Sequence, residues 1–394
     1  MDRPSLEVAD IFRNHGAAWR GAHAGHVSLR QLKAMTAIER CRSASLGGHV
    51  LLCLDCGIEQ IAYNSCRNRH CPKCQAQAAR RWLAAREQDL LPVEYYHVVF
   101  TLPAAIADIA LQNPAVVYGL LFKATAATLH TIARDPRHLG AAIGFTAVLH
   151  TWGSAMTHHP HLHCIVPGGG LTADGEAWVP CKRGFFLPVR VLSKLFRRRF
   201  LELLNAAYRD SQLAFHGRLQ ALTEAAAFAD YLAPLHQRDW FVYAKRPFAG
   251  PRAVLRYLSR YTHRVAISNR RLVACDEQSV TFKWKDYRAK PARRHKTMRL
   301  AIDDFISRFL LHILPSGFHR IRHFGLLANH ARRNNLRRMR ALLFGQGRDT
   351  EDVGGSSDNP SDSAKTTYTC PTCGGQMVIT ATSARVVPWV RAPP

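Results

Sequence analysis

Apolar positions along the chain change their spacing several times, and each change marks an element. Between residues 5 and 40, Leu6, Val8, Ile11 and Phe12, then Leu29, Leu32, Met35 and Ile38, recur at helical spacing. Residues 75–90 predict a basic helix, and Tyr95–Thr101, ended by Pro103, predicts a strand. The Ala- and Leu-rich stretch 104–134 predicts two helices. Residues 144–149 and 161–167 read as two short strands, the second entered through Pro160 and closed by three glycines. Beyond them the pattern predicts a helix over 189–208, a strand over 240–245 and a helix opened by Pro251, where proline suits the first turn. A hairpin over 270–275 and 279–285 and helices over 300–314 and 326–344 complete it. The fold class expected is α+β, an antiparallel sheet with helices packed on it. Three regions are expected: 1–90, 91–345, and a Gly-, Ser-, Asp- and Thr-rich linker with a tail over 346–394, whose last twenty residues predict no structure.

Charge narrows the class of partner. Lys and Arg number 54 against 28 Asp and Glu, a formal net charge of +26 spread over the whole chain, as in proteins that follow a phosphate backbone. No run of about eighteen uninterrupted apolar residues occurs, and the first residues lack the apolar core of a signal peptide, so a cytoplasmic protein with no membrane partner is expected. Eleven cysteines in a reducing compartment then point to zinc before disulfides.

Cys53-Leu-Asp-Cys56 and Cys71-Pro-Lys-Cys74 are two knuckles with the spacing of a zinc ribbon, in which four thiolates close a tetrahedral structural site. Cys41, His49, Cys66 and His70 interleave with them and are candidates for a second zinc. Arg67 and Arg69 stand beside the second knuckle as candidate contacts to nucleic acid. A further pair, Cys370 and Cys373, has no second half after it: it is an orphan, an inert remnant, or part of a site with His319 or His323.

The densest chemistry lies between His150 and Gly170. His161 and His163 alternate on one strand and so share a face, where both imidazoles can reach one ion. The strand ending in His150 can pair antiparallel with it and present a third ligand; His158 competes for that place. Downstream, Tyr257 and Tyr261 are four apart and project from one helical face, with Arg256, Arg260 and Arg264 on a neighbouring stripe. A phenol is a poor nucleophile at neutral pH, and attack on a phosphodiester needs a cation to polarise the phosphate. Lys283 and Lys285, interleaved with Trp284 and Tyr287, suit a single strand, whose bases stack while its phosphates are neutralised.

The segments 65–74, His159-Pro-His-Leu-His-Cys-Ile-Val-Pro-Gly-Gly-Gly170 and Tyr257-Leu-Ser-Arg-Tyr261 resemble, in wording and in order, the insertion-sequence ninety-one family of transposases, two-tyrosine HUH endonucleases. The resemblance covers about residues 10–345. It implies an HUH nuclease-like catalytic domain behind an N-terminal zinc module, with His161 and His163 as ligands of Mg²⁺ or Mn²⁺ and Tyr257 and Tyr261 as nucleophiles. It also implies rolling-circle transposition, with single-stranded DNA nicked and rejoined through a 5′-phosphotyrosine. The chain holds no Gly-x-x-x-x-Gly-Lys-[Ser/Thr] phosphate loop, so a host helicase is an expected partner. The other readings are a plasmid replication initiator or relaxase with the same catalytic parts, and a non-catalytic zinc-dependent DNA-binding regulator.

Overall fold

The computed structural model describes residues 6–245, 253, 265–287, 289, 293–344 and 368–384. Helices α1 (Val8–Ala22) and α2 (Leu29–Glu39) form where the apolar spacing predicts them, and each bears a capping box at its start. A hairpin follows, β1 (Gly48–Cys53) and β2 (Glu59–Tyr63), and then α3 (Pro72–Glu87), which starts on Cys71 with proline in its first turn. Next come β3 (Tyr95–Thr101), α4 (Ala104–Gln112), α5 (Pro114–Arg134), β4 (Gly144–Trp152) and β5 (His158–Pro167). A short ribbon, β6 (Gly169–Leu171) and β7 (Trp178–Pro180), leads to α6 (Val189–Arg209), α7 (Ala225–Gln237) and β8 (Val242–Lys245). The chain resumes with β9 (Leu272–Cys275), β10 (Ser279–Lys285), β11 (His295–Ala301), a helix over Ile302–Leu310, β12 (Ile321–Gly325) and a helix over Arg332–Phe344. The last described elements are β13 (Tyr368–Thr369) and β14 (Gln376–Ser383).

Five strands make the central antiparallel sheet in the order β12-β4-β5-β3-β8. Alternation divides its two faces. Val98 and Phe100, Phe145, Ala147 and Leu149, and Leu162, Cys164 and Val166 point into the main core, built with α4 to α7. His97, Thr146, His150, His161 and His163 fall at the intervening positions and share the opposite face. One layer of helices therefore covers the apolar face, leaving the polar face for chemistry. The glycines after β5 admit a close crossing: a Cβ on Gly170 would strike the carbonyl of Ala142. Among the described helices α5 is long and apolar enough to cross a membrane, but 61% of its apolar window is buried in this core, the packing of an interior helix.

A second core forms from distant pieces. Val8, Ile11 and Phe12 of α1, Met35 and Ile38 of α2, and Cys41, Cys71 and Cys74 pack with Ile267, Phe282, Phe305 and Phe309. Phe12 meets Phe309 edge to face, with ring centroids 5.3 Å apart. Residues on both sides of position 90 thus share one interior.

The tail departs from expectation. Residues 376–383 are a strand, paired antiparallel with β1 from Gly48↔Ser383 to Cys53↔Met377, giving a sheet in the order β13-β14-β1-β2. A strand with one apolar side chain to bury, Met377, has little periodicity of its own. What makes it a strand is the hydrogen-bonding edge of β1, which lies more than 300 residues earlier.

Candidate functional site

The cysteine spacing joins Cys53 and Cys56 to Cys71 and Cys74, but the structure separates them. Cys71 and Cys74 converge with Cys41 and Cys66, while Cys53 and Cys56 meet Cys370 and Cys373. The reason is the hairpin between them. Cys41 and Cys66 flank its base, whereas Cys53 and Cys56 sit at its tip, and five paired residues hold the two about 16 Å apart. In the first group Cys74 Sγ lies 3.6 Å from Cys41 Sγ and 3.6 Å from Cys66 Sγ. Four thiolates about 2.3 Å from one zinc stand about 3.8 Å from each other, so the set fits that ion. Sulfurs this crowded cannot all ionise alone: their neighbours push the Cys66 and Cys71 thiols up and hold Cys74 down. A divalent cation among them removes that conflict.

Neither candidate histidine belongs to a cysteine group. His70 is buried, its Nε2 accepting from the Leu314 amide, and desolvation holds it neutral, down to about 3. His49 sits mid-strand in β1, opposite Ala62 and Thr382. His319 and His323 do not join Cys370 and Cys373 either; His323 lies in β12, its Nδ1 2.9 Å from Thr146 Oγ1.

His150, His161 and His163 do come together, with ligand nitrogens all within 4.8 Å of one another. β4 and β5 pair antiparallel, His150 stands directly opposite His161, and His163 lies diagonally across from His150. The Nε2 atoms of His161 and His163 are 3.0 Å apart, the separation of two ligands at about 2.1 Å from one ion and at right angles. Outer contacts set the tautomers. His161 Nδ1–H donates to the His159 carbonyl at 2.6 Å, so its Nε2 offers a lone pair. His163 Nδ1 is 2.7 Å from His97 Nε2, and donation from His163 frees its own Nε2 in the same way. His161 is half-buried, and desolvation lowers it to about 4, so it is neutral at physiological pH. These residues fit a divalent ion. His158 does not compete: its Nε2 is 2.8 Å from the Tyr118 hydroxyl, away from the group.

His97 and Trp152, which stacks on His150 with ring centroids 4.6 Å apart, were not singled out by sequence. The signal for His97 is its odd position in β3, on the face of the other three histidines.

The candidate cations divide. Arg67 is exposed, with φ 52°, and free to meet a phosphate. Arg69, two residues on, turns inward and donates to the carbonyls of Phe318 at 2.5 Å and Pro315 at 2.6 Å, so it ties the zinc module to the 314–318 segment and is spent within the fold. Lys283 is exposed on β10, and Lys296 lies over the Trp284 ring at 5.9 Å. β10 pairs with β9 and β11 in a three-stranded antiparallel sheet, which docks on the loop between the histidine strands, where the Lys285 amide donates to Ser154 Oγ at 2.6 Å. Tyr257, Tyr261, Arg256, Arg260 and Arg264 lie outside the described residues.

Residues 144–335 match the family described as "Putative transposase" and residues 11–102 the family described as "Transposase zinc-binding domain". "Putative transposase y4qJ" of Sinorhizobium fredii (strain NBRC 101917 / NGR234) is 60% identical over 87% of this chain and 85% of its own. "Transposase for insertion sequence element IS801" of Pseudomonas savastanoi pv. phaseolicola is 26% identical over 76% of this chain and 70% of its own. No solved structure matches. With a relative at that identity over most of both chains, and both family models matched within this one chain, this protein belongs to the IS91 family of transposases.

Proposed function

We propose that this transposase nicks and rejoins single-stranded DNA by an HUH-type mechanism, driving rolling-circle transposition, with Tyr257 and Tyr261 as nucleophiles and His150, His161 and His163 as the ion site. The observation that carries this is the convergence of three imidazoles on the polar face of the central sheet, opposite the main core. The chain flanking the tyrosines supports it. β8 ends at Lys245, paired with His97 on the neighbouring strand, and Val265 and Ala266 line a small cavity with Trp152, the ring stacked on His150.

A divalent ion on these imidazoles, Mg²⁺ or Mn²⁺, supplies polarisation of the scissile phosphate. A tyrosine oxygen attacks phosphorus as its proton leaves, the bond to the 3′ oxygen breaks, and that oxygen takes up a proton. The DNA is left with a free 3′-hydroxyl and a 5′-phosphotyrosine on the protein. Attack by a 3′-hydroxyl reverses the step, so rejoining needs no nucleoside triphosphate. The second tyrosine repeats it at the other end or at the target. Strands are held by Arg67, the arginines around the tyrosines, and Lys283 and Lys285, and separated by a host helicase.

The test is a denaturing gel of full-length protein with labelled single-stranded oligonucleotides from the element's ends and either metal. A protein-linked band is expected for the wild type, lost in Tyr257→Phe/Tyr261→Phe and in His161→Ala. Salt-sensitive binding without any adduct would instead favour the regulator.

His97 acts through His163, as a positioning residue. His97→Phe is expected to weaken Mn²⁺ binding about 10- to 100-fold, measured by calorimetry, while His97→Gln retains more of it. Equal affinity in wild type and His97→Phe would remove His97 from the site.

A further inference from the structure

The sequence Cys-x-x-Cys-Gly occurs at 53–57 and again at 370–374, and the two turns match bond for bond. In the first, the Gly57 amide donates to the Cys53 carbonyl at 3.1 Å and the Cys53 amide to Ile58 at 3.0 Å. In the second, Gly374 donates to Cys370 at 3.0 Å and Cys370 to Gly375 at 2.8 Å. Both glycines take the left-handed conformation, φ 70° and 78°, that lets the amides after the first cysteine turn back on it. The Cys71–Cys74 turn differs, since it runs straight into α3.

The two matching knuckles face each other. Cys53 Sγ is 3.5 Å from Cys373 Sγ and Cys56 Sγ is 3.7 Å from Cys370 Sγ, partners 320 and 314 residues apart in sequence. The knuckles touch directly: the Leu54 amide donates to Gln376 at 3.0 Å, and a Cβ on Gly375 would strike the Asp55 carboxylate. Each stands at the end of a strand pair, and β1 joins β14 between them. Behind the sulfurs, among the described residues, only Leu51, Cys53, Cys370 and Met377 are buried together, with Ala62 and Tyr368 packed against them. Four side chains are too small a core to hold two knuckles in register unaided.

We propose that Cys53, Cys56, Cys370 and Cys373 bind a second zinc ion, completing a zinc ribbon with one knuckle from each of two distant segments, and that this ion fastens residues 368–384 to the N-terminal module. Four thiolates in closed tetrahedral array select zinc over hard ions such as Mg²⁺. Its role is structural, since no ligand position is open.

Native mass spectrometry of the full-length protein tests the count. Two zinc ions per chain are expected for the wild type and one for Cys370→Ser/Cys373→Ser; two in that variant, or one in the wild type, would overturn the proposal. A second measurement needs no variant. Cys56 and Cys373 are exposed, so burial cannot shield them from iodoacetamide. With zinc bound, both are expected to alkylate at least about tenfold more slowly than free thiols, and to become reactive together as a chelator removes the ion. Labelling of Cys373 at the free-thiol rate in the zinc-loaded protein would sink the idea.

Discussion

Serine in place of Cys74 is expected to unfold the N-terminal helices while the central sheet persists. The residue belongs to two structures at once. Its sulfur is shared among Cys41 and Cys66 at 3.6 Å, and its side chain is part of the core that joins α1 and α2 to Phe305 and Phe309. Structural zinc contributes about 10–16 kcal/mol in small zinc modules, as much as the whole stability of a typical domain, about 5–15 kcal/mol. The main core under α4 to α7 contains none of these cysteines, so it has no direct share in the loss. Hydrogen exchange followed by mass spectrometry reads the outcome. Amides of α1, α2 and the Ile302–Leu310 helix should lose protection by orders of magnitude, and those of β3, β4 and β5 should keep most of theirs. Unchanged protection in α1 would mean that the second core stands without its metal.

Acid should destabilise the protein well before its carboxylates titrate. His70 and His312 are buried, and desolvation lowers them to about 3 and about 4. Both are neutral in the folded state and charge readily once unfolded. Their contribution is fully present above the unfolded value of about 6.5 and is lost as pH falls from there toward the folded values. Each such group reduces stability by about 1.4 kcal/mol per pH unit within that window. His312 is held at both nitrogens, Nδ1 3.1 Å from Thr151 Oγ1 and Nε2 3.1 Å from the Met156 carbonyl. Urea unfolding between pH 8 and pH 4.5, with bound zinc monitored in parallel, should show proton uptake on unfolding. His312→Gln should remove about one proton from that slope below pH 6.5; an unaltered slope would mean that His312 is already charged in the folded protein.

The parts of the site that could be read from sequence are those where geometry is local. A period of two puts His161 and His163 on one face, and antiparallel pairing of neighbouring strands then delivers His150. The cysteines obey no such rule. Any thiolate pair can complete any other, and the hairpin that carries Cys53 and Cys56 away from Cys71 and Cys74 is a tertiary fact. The glycine after Cys56 and again after Cys373 was a usable signal, absent after Cys74. Arg67 and Arg69 show the same limit for charge. Two positions apart in sequence and identical in type, one faces solvent and the other binds three carbonyls of the 314–318 segment, a choice made by the chain that packs beside it.

The pairing of β1 with β14 also has a consequence in time. On the ribosome, β1 and β2 emerge early, whereas the strand that covers the edge of β1 follows more than 300 residues later. At roughly 5–20 residues per second, that edge stays bare for on the order of tens of seconds. During this interval a nascent chain exposes a strand edge and two free thiols at its tip, inviting pairing with a neighbouring copy. A polysome of this message would hold several such edges close together, so crowded synthesis, more than the finished protein, is where misassembly would begin.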